Sequence, residues 1–194
     1  MADGPSTTRR RLVTAMAELM RHQGYSATSV KQLTAAASAP MGSLYHHFPE
    51  GKVQVAAAAL RDSGAAYIEL LPLLMDPHAD LAAAVTGAFD AAADRIEETG
   101  WLNMCPVGTI AGEIAESEPD LRAVAAEVMT LWIERGTTYF IARGLAPDAA
   151  RELTLALLSA LEGAFILSRT LRTAEPVRAA GRALAARAAA LAVT

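Results

Sequence analysis

The sequence predicts an all-α protein, and three observations carry that prediction. Apolar residues make up 53% of the 194-residue chain, and alanine, the strongest helix former, dominates them. Residues that favour sheets are sparse, with only four Phe, four Tyr and two Trp. Apolar positions recur at three- and four-residue spacing, and Pro and Gly residues punctuate the runs where helices would start and stop.

Thr7 or Thr8 can cap a first helix running to about Gln23, with Leu12, Ala15, Met16 and Leu19 as its buried stripe and Gly24 as its stop. Thr28 or Ser29 can cap a second, in which Val30, Leu33 and Ala37 share a face. Ser38-Ala39-Pro40 breaks it, because Pro40 disfavours helical geometry at Ala39 and can itself open a new helix. The third helix then runs from about Met41 to Phe48, and Pro49-Glu50-Gly51 turns the chain into a fourth reaching from about Lys52 towards Leu71. Pro72 and Pro77 predict a loop. Asp80 caps a helix that Gly100 ends, and a shorter one spans about Pro106 to Glu116. A long amphipathic helix runs from Asp120 to Gly144 with Leu121, Val124, Val128, Leu131, Trp132 and Tyr139 recurring. Pro147-Asp148 and Pro176 start the last two, the final one carrying Val177, Leu184 and Leu191 at heptad spacing.

Residues 29–48, SVKQLTAAASAPMGSLYHHF, carry the functional signal. Leu44 and Phe48 make an inward pair on the second short helix, which leaves Gly42, Ser43, Tyr45 and His46 outside. Two short helices across a small-residue turn, the second polar and without carboxylates outside, suit a helix-turn-helix that reads the major groove. Gly42 lets a helix approach DNA closely, Ser43 can bond a base edge, and Tyr45 and His46 can reach sugar or phosphate. Thr28 and Ser29 open a helix N-terminus, where hydroxyls can cap the helix and meet a phosphate.

The stretches GYSATSV (24–30), AA (36–37) and GSLYHHF (42–48), with Lys52 after them, resemble the N-terminal domain of TetR/AcrR-family transcriptional repressors. The resemblance covers roughly Thr8 to Leu60, and the spacing of PMGSLYHHFPEGK looks most like the LmrA/YxaF-type branch. It implies a helix-turn-helix domain over residues 1–50 and a helical ligand-binding and dimerisation domain over 51–194. It also implies that Gly42, Ser43, Tyr45, His46 and His47 lie at the DNA surface, with Lys52 as a phosphate clamp. By their charge, Lys31 and the Arg9–Arg11 cluster are further candidates for phosphate contacts, and Met41 could touch a thymine methyl. Two positions depart from the family pattern. Met41 stands where Lys or Arg is frequent, and Ser38 stands where Gly often makes the turn.

The charge distribution agrees with a DNA-binding head. The whole chain carries −4, yet residues 1–61 hold seven basic and three acidic side chains, and the remainder hold ten and eighteen. A head of +4 on a body of −8 is the asymmetry expected when one end meets phosphate. No uncharged apolar run reaches the roughly 18 residues a membrane span needs, and no signal peptide opens the chain, so a cytoplasmic protein without a membrane partner is expected. Cys105 is the single cysteine, which excludes a disulfide framework. His46 and His47 point about 100° apart on a helix and have no third ligand at suitable spacing, so neither a metal nor another cofactor is expected. No nucleophile, acid and base converge, which argues against an enzyme.

For the body, the resemblance implies a small apolar ligand in a cavity and a homodimer on a palindromic operator. Phe89, Trp101, Met104, Cys105, Met129, Trp132 and Phe165 are the bulky or soft residues that could line the pocket. Small residues around Gly163, flanked by Leu161 and Phe165, would let a second helix come close, and Leu184 and Leu191 extend an apolar stripe on the final helix. A ligand-responsive repressor is the expectation. A ligand-independent or activating regulator on the same fold, or an all-α enzyme using the cavity, are the alternatives.

Overall fold

The computed structural model describes residues 5–102 and 105–191, and every regular element among them is helical. The order is α1 (Pro5–Gln23), α2 (Val30–Ala36), α3 (Met41–His47), α4 (Lys52–Ile68), α5 (Leu70–Met75), α6 (Leu81–Glu98), α7 (Gly108–Ile114), α8 (Pro119–Ala142), α9 (Pro147–Leu171) and α10 (Glu175–Leu191). The chain forms two compact units. One holds the chain through Ala65 together with Pro106–Met129, and the other holds Ala66–Cys105 and the chain from Thr130 onward. The helices α4 and α8 therefore contribute residues to both.

In the first unit, α1 supplies Leu12, Val13, Met16 and Met20 to a core completed by Leu33, Leu44, Phe48, Val55 and Leu60. Burial of each such side chain is worth roughly 1.5–3 kcal/mol, so this short-helix domain depends on a few large residues. Ile110 and Ile114 of α7 and Leu121 and Val128 of α8 are buried in the same unit. The close approach of α4 and α8 needs Gly64, because a Cβ there would collide with the Val128 side chain.

In the second unit, α6 packs against α10, and α10 against α9. Gly181 permits the first contact: a Cβ on it would stand 2.5 Å from Phe89 Cβ. Arg178 crosses the same seam to Asp90 at 3.2 Å and Asp94 at 2.6 Å. These exposed pairs add little stability and mainly set register.

The helix ends follow sequence chemistry. Asp80 caps α6 by accepting the Ala83 N–H at 2.8 Å. Arg172 ends α9 in the left-handed region at φ 56°. Three boundaries differ from the expected ones. The first helix begins at Pro5, so Thr7 and Thr8 lie inside it instead of capping it. The fourth helix stops at Ile68, and the stretch expected to be its end plus a loop forms α5, with Pro72 in the first turn where its missing N–H has no partner to lose. The helix expected over 106–116 is shorter, at Gly108–Ile114. By length and composition alone α9 could cross a membrane. It nevertheless carries Arg151, Glu152, Glu162 and Arg169 and buries Leu153, Leu157, Ala164 and Phe165 in its unit's core, as a core helix does.

Gly181→Val should destabilise the protein by about 1–3 kcal/mol through overpacking against Phe89. Chemical denaturation measures this, and an unchanged midpoint would mean that α6 and α10 do not approach so closely.

Candidate nucleic-acid interface

The geometry starts at the turn between α2 and α3. Ala37 closes α2, and Ser38 takes φ 48°, a left-handed conformation in a non-glycine residue. This is the position where the resemblance anticipated glycine, and holding serine there costs about 1 kcal/mol or more. The Ala39 N–H returns to the Thr34 carbonyl at 2.9 Å, and Pro40 then opens α3 in extended geometry. Leu44 is fully buried and Phe48 is 2% exposed, so the inner edge of α3 is fixed by burial. The outer edge follows by geometry: Met41 and Tyr45 are about half exposed, Gly42 and His46 are exposed, and Ser43 and His47 are half-buried. Nothing lies within 4 Å of the point where a Cβ on Gly42 would stand, so no contact inside the described protein requires glycine there. Tyr45 leans its ring on Gly51, whose absent Cβ would sit 3.2 Å from Tyr45 Cε1.

Ser29 and Gln32 form a reciprocal cap at the start of α2. The Gln32 N–H donates to Ser29 Oγ at 3.2 Å, and the Ser29 N–H donates to Gln32 Oε1 at 2.9 Å. Ser29 and Lys31 are exposed beside it. Thr28 is fully buried instead, and its hydroxyl donates to the Gly24 carbonyl at 2.7 Å. Its side chain thus builds the turn and has no access to a phosphate, which corrects the expectation of a second hydroxyl at the DNA surface. Lys52 is half-buried at the start of α4. Its Nζ donates to the Tyr25 carbonyl at 2.9 Å and lies 3.9 Å over the Tyr25 ring. Partial burial pushes its pKa down, and the carboxylates of Glu118 and Glu113 oppose that. Arg9 lies 5.2 Å over the Phe48 ring, at the outer end of the same core.

Two residues here lie outside the sequence-based expectations. Gln32 was legible, because S-x-x-Q before an apolar run is a capping box. Glu113 was not: it accepts the Tyr25 and Ser26 N–H groups at 2.9 and 2.7 Å across 88 and 87 residues of chain, and no local pattern signals such a contact.

The second unit holds a partly open cavity of about 440 Å³. Phe89, Trp132 and Phe165 are among its walls, and so are Tyr67, Phe140 and Leu161. Tyr67 packs 5.2 Å from Trp132, and burial raises its phenol well above the usual range. Cys105 is fully buried outside the wall, hydrogen-bonded to Glu162, whose carboxyl is pushed up by burial. Trp101 is half-buried after α6 and lines nothing here, Met129 belongs to the first unit, and Met104 lies outside the described residues. Of the residues expected at a partner helix, Gly163 is exposed with open space around it, Leu184 and Leu191 are half-buried, and Phe165 is only 5% exposed because it faces the cavity side.

A helix-turn-helix that offers an uncharged, half-exposed recognition helix is the arrangement of a DNA-binding transcriptional regulator. Sequence comparison narrows this. Residues 12–59 match the profile described as bacterial regulatory proteins, tetR family, and residues 82–183 match the LmrA/YxaF-like transcriptional regulator C-terminal domain. The HTH-type transcriptional regulator YxaF of Bacillus subtilis is 30% identical over 88% of this chain and 89% of its own. LmrA of the same organism is 26% identical over 88% and 90%. Among solved structures, the regulatory protein TetR from Rhodobacter sphaeroides is 25% identical with a TM-score of 0.78, covering 92% of this chain and 97% of that one. The chain belongs to the TetR family of transcriptional regulators, with a C-terminal domain of the LmrA/YxaF type. Its relatives are regulators that bind DNA and act as dimers, not enzymes.

Tyr45→Ala and Ser43→Ala should weaken binding to an operator selected from random DNA while the melting temperature stays near wild type, since neither side chain is in the core. A large fall in melting temperature for Tyr45→Ala would assign that ring to packing instead. Lys31→Ala should lessen the salt slope of binding by about 0.9, the value for one phosphate neutralised on duplex DNA.

Proposed function

We propose that this regulator is a homodimeric repressor, working in the cytoplasm, that leaves a palindromic operator when a small apolar molecule enters the second unit. The apolar cavity is the observation that carries this reading. Its volume of about 440 Å³ falls within the roughly 300–1,000 Å³ typical of small-molecule sites, and its walls are largely aliphatic and aromatic. The HTH-type transcriptional repressor DhaR of a Mycobacterium species is 25% identical to this chain, which favours repression over activation here.

At the DNA, Ser29, Lys31 and Lys52 would bind phosphates, and Met41, Gly42, Ser43, Tyr45, His46 and His47 would face the groove. Met41 would touch a thymine methyl in place of the phosphate contact that a basic residue would make. The helix α4 carries Lys52 at its start and the cavity residues Tyr67 and Ile68 in its last turn, so a ligand that displaces that turn acts on the helix that bears the clamp. For the dimer, Leu155, Ser159, Gly163, Leu167 and Leu171 are exposed at four-residue spacing along α9, with Ile166 beside them. A second copy of this stripe would bury it, with Gly163 allowing close approach and Leu161, Leu184 and Leu191 at its edges.

Binding of an apolar aromatic compound should quench or shift tryptophan emission, because Trp132 is a cavity wall, and should raise the melting temperature. It should also release operator, and saturating operator should weaken compound binding by the same factor. Compounds that bind tightly yet never change operator affinity would leave a regulator that does not respond through this cavity. Gly163→Leu should dissociate the dimer without unfolding the protomer, since its Cβ meets nothing within it. A wild-type monomer at micromolar concentration in sedimentation would sink the dimer proposal.

A further inference from the structure

The turn between α1 and α2 is held by groups remote from it in the chain. Glu113 Oε2 accepts the Tyr25 N–H at 2.9 Å, and its Oε1 accepts the Ser26 N–H at 2.7 Å. Lys52 Nζ donates to the Tyr25 carbonyl at 2.9 Å. The Tyr25 carbonyl and the Ser26 N–H are the two ends of one peptide group. A carboxylate thus sits at its N–H end and an ammonium at its carbonyl end, the order that matches the peptide dipole. Each charge polarises the bond the other makes, so the two hydrogen bonds reinforce one another.

The surroundings are built for this contact. Gly24 has φ 85°, and a Cβ on it would stand 2.6 Å from Glu113 Oε2, so both its conformation and its missing side chain admit the carboxylate. Partial burial raises the Glu113 pKa, but the hydrogen bonds from Ser26 and Tyr25 and the charge of Lys52 outweigh it and hold the group below the usual carboxylate range. On the other side of the peptide the Tyr25 ring lies under the ammonium, which leaves the Lys52 chain little freedom. An ammonium has three donors, and the Tyr25 carbonyl takes one.

We propose that Glu113 is a positioning residue for DNA binding, which grips the Tyr25–Ser26 peptide and through it holds Lys52 ready for a phosphate at the start of α4. This rests on the assignment of Lys52 to a phosphate. The alternative role of Glu113 has the opposite sign. As a plain negative charge near DNA it would repel the duplex, and its removal would tighten binding to any sequence. As a positioning group, its removal weakens operator binding, because the turn that leads into the Ser29 cap and the lysine both lose their restraint.

The test uses the full chain with Glu113→Gln, Glu113→Ala, Lys52→Ala and the Glu113→Ala/Lys52→Ala pair. Binding is measured to a selected operator and to a random duplex of equal length, and amide exchange at Tyr25 and Ser26 is measured on the free protein. Glu113 is exposed, so its two single variants should melt near wild type, and Lys52→Ala, at a half-buried position, is compared at a temperature where every variant is folded. Glu113→Ala should weaken operator binding about tenfold, the scale of hydrogen bonds to a charged group, with random-duplex binding unchanged or slightly tighter. Glu113→Gln should lie between, since its amide keeps one acceptor. Exchange at the Ser26 amide should quicken at least tenfold in Glu113→Ala. In the Lys52→Ala background, Glu113→Ala should add little further loss. Unchanged exchange would remove the grip itself, and operator binding unchanged or tighter in Glu113→Ala would overturn the positioning role. An equal loss with and without Lys52 would show that the effect does not pass through it. Quickened exchange with a Lys52→Ala variant that binds normally would overturn the Lys52 assignment, and the positioning role with it.

Discussion

Burial of Leu44 and Phe48 is the constraint from which the DNA-facing surface follows. α3 has only seven residues, too few to persist in water on its own. It persists because those two side chains enter the core that α1 and α2 line with Leu12, Met16 and Leu33. Once they are inside, helical geometry leaves Met41, Gly42, Tyr45 and His46 outside. The same burial pins the turn before α3, where Ser38 is held at positive φ by the helices on either side of it. Anchoring and presentation are one event, and a sequence that lost the inner pair would lose the outer face with it.

The second constraint is close packing through missing side chains. In the first unit Gly64 admits Val128, and in the second Gly181 admits Phe89 and Gly136 admits Thr154, whose Cγ2 would stand 2.6 Å from a Cβ there. An alanine-rich chain has few large residues, so helices that approach closely leave the large ones for special places. Phe89, Trp132, Phe140 and Phe165 gather around a cavity instead of filling the unit. Native interiors are close-packed, and a space of this size walled by apolar residues is the feature on which the proposed ligand response rests.

Local chemistry was legible and long-range chemistry was not. The helix order, the Asp80 cap, the Ser38–Pro40 break and the inward pair of α3 all follow from patterns within a few residues. The misreadings have the same root. Pro72 looks like a breaker because nothing local separates a loop proline from one in the first turn of a helix. Thr28 and Ser29 look alike in sequence, and only the fold buries one and exposes the other. Glu116 is exposed on the turn that follows α7. Glu113 is also exposed, yet it binds two amides nearly ninety residues away. The apolar stripe Leu155, Leu167 and Leu171 stayed hidden because periodicity gives the faces of a helix but not which of two apolar faces the core takes.

The proposed response to a ligand has an energetic bound that the cavity can meet. A hundredfold loss of operator affinity needs about 2.7 kcal/mol of difference in ligand affinity between the two states. At about 25 cal/mol per Å² of apolar surface, that is roughly 110 Å² more contact in the released state, less than the area of one aromatic side chain. The ligand need not rebuild the unit. It is enough that Tyr67 and Ile68, in the last turn of α4, close on it in one state and stand off in the other. A ligand held with equal contact in both states would shift nothing, however tightly it bound. Under that proposal, selectivity for an inducer would rest on the walls supplied by α4, and walls whose contact is equal in both states would set affinity alone.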